Sequence, residues 1–114
     1  MNKYISGKVL FSNTPYVVSK SFKTSTSLYK LVNSAEYELV KTNSQNSLVH
    51  DWWEFEFLIE QAPGEASQHQ YQIVAEVFIE QGELLASAKT IIKVDFNYGS
   101  RHHEDLYLEP VLII

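Results

Sequence analysis

The run His102-His103-Glu104-Asp105 is the only cluster of potential metal ligands in the sequence. Imidazole nitrogens and carboxylate oxygens are ligands that zinc prefers in proteins. Neighbouring residues of a strand point to opposite sides of it, so His102 and His103 can share one ion only within a loop. Zinc sites bring together three or four ligands, and the spacing needed for that is missing here. We therefore interpret the run as a solvated polar loop and expect no metal and no cofactor; a metal protein or enzyme using His102, His103 and Glu104 is the least favoured alternative.

A second group with chemical potential is the set of carboxylates Glu54, Glu56 and Glu60. Glu54 and Glu56 share one face of a predicted strand, and desolvation there would raise the pKa of one of them and create an acid and base pair. The simpler interpretation is the solvated side of that strand. The sequence contains no glycine-rich phosphate loop, nucleophile elbow or Ser, His and Asp arrangement. We expect a protein that is not an enzyme.

Four apolar residues lie at positions that the alternation assigns to the solvated side: Trp52, Leu58, Val74 and Phe78. If the two strands that carry them are neighbours, the four side chains form one patch that a protein partner covers. The alternative is that a loop, or a helical turn within residues 61–70, covers them inside the domain. A further possibility is that an unpaired strand edge, with the strand predicted at 106–114 as the candidate, accepts an extended peptide by main-chain pairing.

Aromatic residues suggest a further function from another class. Trp52, Trp53 and Tyr107 are able to stack on a small molecule or a carbohydrate if two of them line a concave pocket with convergent polar groups. The protein-binding patch is the leading hypothesis, and the ligand-binding β-sandwich is the alternative.

The elements that position these residues are β-strands with a period of two. Residues 71–94 form the clearest of them, a hairpin whose apolar side chains share one parity and whose turn contains Gly82, since glycine adopts the positive φ that such reversals need. Residues 51–60 alternate large apolar side chains with carboxylates, a pattern that fits a strand better than a helix. Further strands are predicted at 3–11, 16–32 (a solvated one), 36–42 and 106–114, where Pro110 favours an edge position or a bulge. Loops are expected at 61–70 and 97–105.

About seven strands in one chain of 114 residues predict a single domain, residues 1–114. Its expected fold is all-β: a small antiparallel β-sandwich or open barrel, with Greek-key or transthyretin-like character in the sandwich form.

Composition limits the partners. The net charge of -5 and the pI near 5.3 argue against nucleic acid and anionic lipid, which bind concentrated positive charge. The absence of cysteine excludes disulfides and thiolate zinc sites. No apolar stretch is long enough to span a membrane, and the N-terminus lacks the features of a signal peptide. We expect a soluble chain.

Short segments in a particular order also suggest a family. They are Ile5-Ser6-Gly7-Lys8-Val9, Thr26-Ser27-Leu28-Tyr29-Lys30-Leu31, Tyr37-Glu38-Leu39-Val40, Phe55-Glu56-Phe57, Tyr71-Gln72-Ile73-Val74-Ala75-Glu76-Val77, Gly82-Glu83-Leu84-Leu85 and Leu106-Tyr107-Leu108-Glu109-Pro110-Val111. In their order and spacing, over nearly the whole chain, these segments resemble the YbaY and YscW family.

This resemblance implies a small β-sandwich without enzymatic activity, carried in most members to the periplasm as an outer-membrane lipoprotein. The YscW branch comprises pilotins of type III secretion, chaperone-like proteins that bind the C-terminal segment of a secretin and aid its assembly in the outer membrane. Members normally begin with a signal sequence and a lipobox cysteine, which this sequence lacks. The expected location is therefore the periplasm for a trimmed lipoprotein, or the cytoplasm if Met1 is the native start.

Overall fold

The computed structural model describes residues 2–11, 22–45, 52–79 and 82–111. Within these ranges the chain forms strands and connections and no helix, so the all-β prediction is confirmed. The described strands are β1 (Asn2–Leu10), β2 (Lys23–Leu31), β3 (Tyr37–Gln45), β4 (Trp52–Glu60), β5 (Gln68–Phe78), β6 (Leu84–Asp95), β7 (Arg101–His103), β8 (Leu106–Tyr107) and β9 (Glu109–Pro110).

The first sheet is built around β1. Strand β4 pairs antiparallel with one side of β1, and β7 and β8 pair with its other side. Both of these short strands run parallel to β1. Between them the chain crosses closely over Gly7, where an added Cβ would lie 1.7 Å from the Glu104 carbonyl oxygen. Glycine at this position is what allows the close approach.

The second sheet has the order β3-β2-β5-β6-β9 and is antiparallel throughout. The predicted hairpin is confirmed as β5 and β6, and Gly82 in its turn has a φ of 90°. Pro110 lies in β9, at the edge of the sheet, as predicted. Because proline has no N–H to donate, an edge is the position where it costs least.

The two sheets pack face to face, and the alternation of buried and exposed residues is clearest in β1, β4 and β5. In β4 the odd-numbered residues are buried and the even-numbered ones are mostly exposed, and β5 buries its odd-numbered residues in the same way. The core cluster takes side chains from β1, β2, β4, β5, β6 and the segment around β8, and none from β3.

Three predictions about elements need correction. The loop expected over 97–105 contains strand β7, which the short run Arg101–His103 forms by pairing parallel to β1. The single strand expected over 106–114 is split, since β8 joins the first sheet and β9 the second; residues 112–114 lie outside the described residues. The solvated strand expected over 16–32 is described only from residue 22 onward, where β2 is not solvated, because it lies between β3 and β5 with Thr24 and Thr26 buried; residues 16–21 lie outside the described residues.

The connection from β4 to β5 is a loop, as predicted, with a turn at Pro63 and Gly64 in place of the suggested helical turn. Glu65 holds this loop against β2, since its carboxylate lies 2.9 Å from Lys30 Nζ. The hydrogen bond from Lys30 is the main reason that the pKa of Glu65 is lowered.

Candidate protein-binding surface

The four apolar residues predicted as a partner site do not share a surface. Trp52 and Leu58 are even-numbered residues of β4 and lie on the outer face of the first sheet. Val74 and Phe78 lie on β5, on the outer face of the second sheet. The premise that their strands are neighbours is wrong, because β4 and β5 belong to different sheets. The structure thus separates the four into two pairs on opposite sides of the sandwich, and partner binding by either pair stays a prediction.

On the first sheet, Trp52 belongs to an apolar row that sequence reasoning missed. Leu10 pairs with Trp52 on one side and with Tyr107 on the other, so the three side chains cross the sheet as one rung. Lys8 Nζ lies 4.7 Å from the centre of the Trp52 ring. Periodicity assigns each of these residues to a face, but only strand pairing shows that they are neighbours.

Leu58 lies towards the other end of the same face and is 52% exposed. Its partner in β1 is Tyr4, whose ring lies 4.9 Å from the guanidinium carbon of Arg101. Arg101 also binds Glu56, with 2.8 Å between Nη1 and Oε2. This end of the face therefore combines the apolar surface of Leu58 with the ion pair between Arg101 and Glu56.

On the second sheet, Val74 and Phe78 are half-buried. Val74 lies between Ser27 and Lys89, while Phe78 lies between Lys23 and Leu84. Polar neighbours thus separate Val74 from Phe78, which makes the face a weaker candidate for a continuous apolar patch.

Strand β4 has one free edge within the described residues, because it pairs only with β1. The backbone of β1 shows which groups point there. Ser6 O accepts a hydrogen bond from Glu104 N at 2.8 Å and Leu10 O accepts one from Leu108 N at 2.9 Å, so the even-numbered residues of β1 face β7 and β8. Its odd-numbered residues bond to β4, and they lie opposite the odd-numbered residues of β4.

The backbone N–H and C=O groups of Glu54, Glu56 and Leu58 therefore point away from β1, since both groups of a strand residue point to the same side. One contact agrees with this assignment: Asn43 Nδ2 of β3 reaches the Glu56 carbonyl oxygen from the open side at 3.5 Å.

Below this free edge lies the inner face of β3. Lys41 and Asn43 pair with the core-facing residues Leu28 and Thr26, so they point towards the first sheet. Strand β3 adds nothing to the core, and most of its residues are exposed. Among the described residues, the first sheet thus ends at β4 and no strand covers β3. We call the space beside β4 and above β3 the β3–β4 slot.

One end of the β3–β4 slot is a largely apolar depression with a volume of about 310 Å³. Val40 enters it because a register shift in the pairing of β2 with β3 leaves this residue without a partner. The depression is lined by Lys30, Val40, Leu58, Ile59, Glu60 and Tyr71. Tyr71 is buried, and this burial, with a smaller effect of the Glu65 charge, raises its pKa to about 12.

The histidine run makes two separate contacts. His102 Nε2 lies 3.3 Å from Glu104 Oε1, whereas His103 Nε2 lies 2.9 Å from Asp105 Oδ1. His103 is exposed on the outer side of β7 and His102 is half-buried. In the part of the chain that the structure describes, no group of three potential ligands comes together.

Of the three aromatic residues proposed for ligand stacking, Trp52 and Tyr107 share the outer face of the first sheet on either side of Leu10, whereas Trp53 does not. Trp53 is 5% exposed, and its indole Nε1 donates a 2.8 Å hydrogen bond to Thr26 Oγ1 in the core. Tyr107 lines a cavity of 480 Å³ between β6 and β8 in which it is the only aromatic residue. Trp53 is therefore a core residue, which corrects its assignment as a stacking platform.

No protein-family model matches the sequence, and no curated protein matches it. Among solved structures, an alternative pilotin from the type II secretion system of Vibrio cholerae matches with a TM-score of 0.69, covering 98% of this chain and 99% of that one at 17% identity. The chain has the fold of a pilotin.

At this level of identity the likeness concerns the fold. It confirms the predicted pilotin-like architecture, while membership of the YbaY and YscW family stays a prediction. Within the described residues, no helix has the length and apolar content that crossing a bilayer requires.

Proposed function

We propose that this protein is a non-catalytic, pilotin-like domain that binds the C-terminal segment of a secretin and helps the secretin reach and assemble in the outer membrane. The observation that carries the proposal is the likeness to a type II pilotin over 98% of the chain. Because that pilotin belongs to type II secretion, a type II secretin is favoured over the type III secretin that the YscW resemblance implies. Such a role belongs at the periplasmic side of the outer membrane.

The surface of the protein supports binding of a protein segment. Specific recognition needs a rigid scaffold with a few apolar anchors. The sandwich is the scaffold, and Leu58 and the row formed by Trp52, Leu10 and Tyr107 provide anchors on the first sheet. Val74 and Phe78 are the competing anchors on the second sheet.

Fluorescence anisotropy tests the proposal with labelled C-terminal segments of a type II and a type III secretin. We expect the type II segment to bind with a Kd in the micromolar range or tighter, which corresponds to about -8 kcal/mol. If neither segment binds to the folded protein, the proposal is overturned. Stronger binding of the type III segment would shift the assignment to the YscW branch.

Two matched variants show which face is used. Leu58→Asp places a charge on the first sheet and Phe78→Asp places one on the second, and neither residue belongs to the core cluster. We expect Leu58→Asp to weaken binding by about tenfold or more. The opposite ranking, with both variants folded, would assign the segment to the second sheet.

A further inference from the structure

We propose that the β3–β4 slot binds its partner as an added β-strand. The partner is an extended segment with alternating basic and apolar residues; it pairs with the free edge of β4 and covers β3. The inference rests on the proposed protein-binding function and specifies its place, backbone conformation and charge. Strand addition uses main-chain hydrogen bonds for affinity and alternate side chains for specificity.

The geometry of the backbone supports this mode of binding. Glu54, Glu56 and Leu58 present their N–H and C=O groups to the slot, because the odd-numbered residues of β4 bond to β1. A strand pairing there would lie above Asn43, whose side chain already reaches the Glu56 carbonyl oxygen. Unpaired edges of this kind are templates for another strand.

Charge identifies the chemistry of the partner. Strands β3 and β4 together carry four carboxylates and one lysine: Glu38, Glu54, Glu56, Glu60 and Lys41. Arg101 neutralises Glu56, and Lys30 at the apolar end is engaged by Glu65. Lys8 of β1 lies opposite Glu54 on the outer face, with its Nζ 4.7 Å from the centre of the Trp52 ring. The slot therefore has a small net negative charge, and a basic residue on the added strand would lie beside Glu60, which has no cation opposite it in β1.

The apolar end of the slot accounts for the apolar residues of the partner. Leu58 and Val40 are both partly exposed there, and the 310 Å³ depression between them can hold an aliphatic side chain. A strand with its basic side chains on the outer face and an apolar residue over Val40 satisfies both features of the slot.

A second copy of this chain is the competing occupant. Strand β6 carries two lysines, Lys89 and Lys93, on its outward face with Ile91 between them, and β9 pairs only with Ala86 and Ser87 of this strand. Self-association that increases with concentration and is lost in Leu58→Pro would assign the slot to a second copy and overturn the proposed occupant.

The probe is a fluorescent peptide of about nine residues, the length of an ordinary strand, that alternates lysine and valine. One control peptide carries glutamate for lysine, and another is N-methylated at alternate residues so that one edge cannot donate. We expect the lysine peptide to bind about tenfold or more tightly than either control. Equal binding of the plain and N-methylated peptides would overturn strand addition.

Substitutions in the protein complete the test. Leu58→Pro removes both the leucine side chain and an N–H of the free edge. Leu58→Ala also removes most of the side chain but keeps the N–H, so it is the matched control. We expect the proline variant to bind the lysine peptide several-fold more weakly than the alanine variant. Equal affinities would contradict the inference. If the proline variant does not fold, the double variant Glu54→Lys with Glu60→Lys replaces it. This variant should bind the glutamate peptide more tightly than the lysine peptide, the reverse of wild type. An unchanged preference would overturn the inference.

The same variants with the type II secretin segment separate this inference from the proposed function. If wild type, Leu58→Pro and the double lysine variant bind that segment equally well, the inference that it binds in the slot is overturned and the proposed function stands. Binding of the lysine peptide in the slot without binding of any secretin segment would overturn the proposed function alone.

Discussion

The indole Nε1 of Trp53 donates a 2.8 Å hydrogen bond to Thr26 Oγ1 inside the core. Trp53 belongs to β4 of the first sheet and Thr26 to β2 of the second, so the bond connects the two layers of the sandwich. It also places β4 above β2, which is why no strand of the described ranges lies above β3, the next strand outward.

Thr26→Val should lower the free energy of unfolding by about 1–3 kcal/mol, because it leaves a buried N–H without an acceptor. Urea denaturation followed by circular dichroism measures this change. In a Trp53→Phe background the donor is absent, so the same substitution should cost clearly less. A Thr26→Val cost that is equal in both backgrounds would show that the hydrogen bond has no part in stability.

Gly7→Ala should be among the most destabilising small substitutions in the chain. Its Cβ would lie 1.7 Å from the Glu104 carbonyl oxygen and 3.1 Å from Phe55 Cζ, and a backbone oxygen cannot move aside without displacing the segment between β7 and β8. We expect a loss of about 3 kcal/mol or more.

Gly64→Ala is the matched control for Gly7→Ala. Gly64 has a φ of 84° and nothing within 4 Å of its added Cβ, so only backbone strain applies. That strain should cost about 1 kcal/mol. Thermal unfolding compares the two variants, and a Gly7→Ala protein as stable as Gly64→Ala would contradict the packing described here.

Tyr71 should make the protein sensitive to alkali. Burial raises its pKa to about 12 from the ordinary 10.0, so the unfolded chain releases the proton at lower pH than the folded protein. The free energy of unfolding is therefore unaffected by Tyr71 ionisation below pH 10, and it falls by roughly 3 kcal/mol as the pH rises towards 12. The measurement is the free energy of unfolding of wild type and Tyr71→Phe across this range. An identical pH dependence in the two proteins would refute the assignment.

Hydrogen exchange of the free protein should alternate along β4. The amides of Phe55, Phe57 and Ile59 bond to β1 and should exchange slowly, whereas those of Glu54, Glu56 and Leu58 face the slot and should exchange quickly. Residue-resolved NMR measures both sets. Slow exchange at the three even-numbered amides would mean that the edge is already covered, and it would remove the basis for strand addition.

The sequence predicts which side of a strand a residue faces better than it predicts which strands lie next to each other. Alternation in β4 and in the hairpin correctly assigned buried and solvated sides, because a strand has a side-chain period of two. It could not show that β4 and β5 lie in different sheets, since pairing depends on contacts far apart in the chain. For that reason Trp52 and Phe78 were grouped on one surface although they lie on opposite ones.

Buried polar residues were the other source of error. Thr24 and Thr26 indicated a solvated strand, yet both are buried, and Thr26 bonds to Trp53. Lys3 is 5% exposed, and its Nζ donates to the carbonyl oxygens of Asp95 and Tyr98. Composition and periodicity treat such residues as exposed, because their partners appear only once the chain is folded.

The most direct test of the central claim is an NMR titration of the isotope-labelled protein with the C-terminal segment of a type II secretin. The account predicts saturable chemical-shift changes concentrated in β3 and β4, together with slower exchange of the Glu54, Glu56 and Leu58 amides. A folded protein whose spectrum does not change at saturating concentrations of the segment would contradict the account.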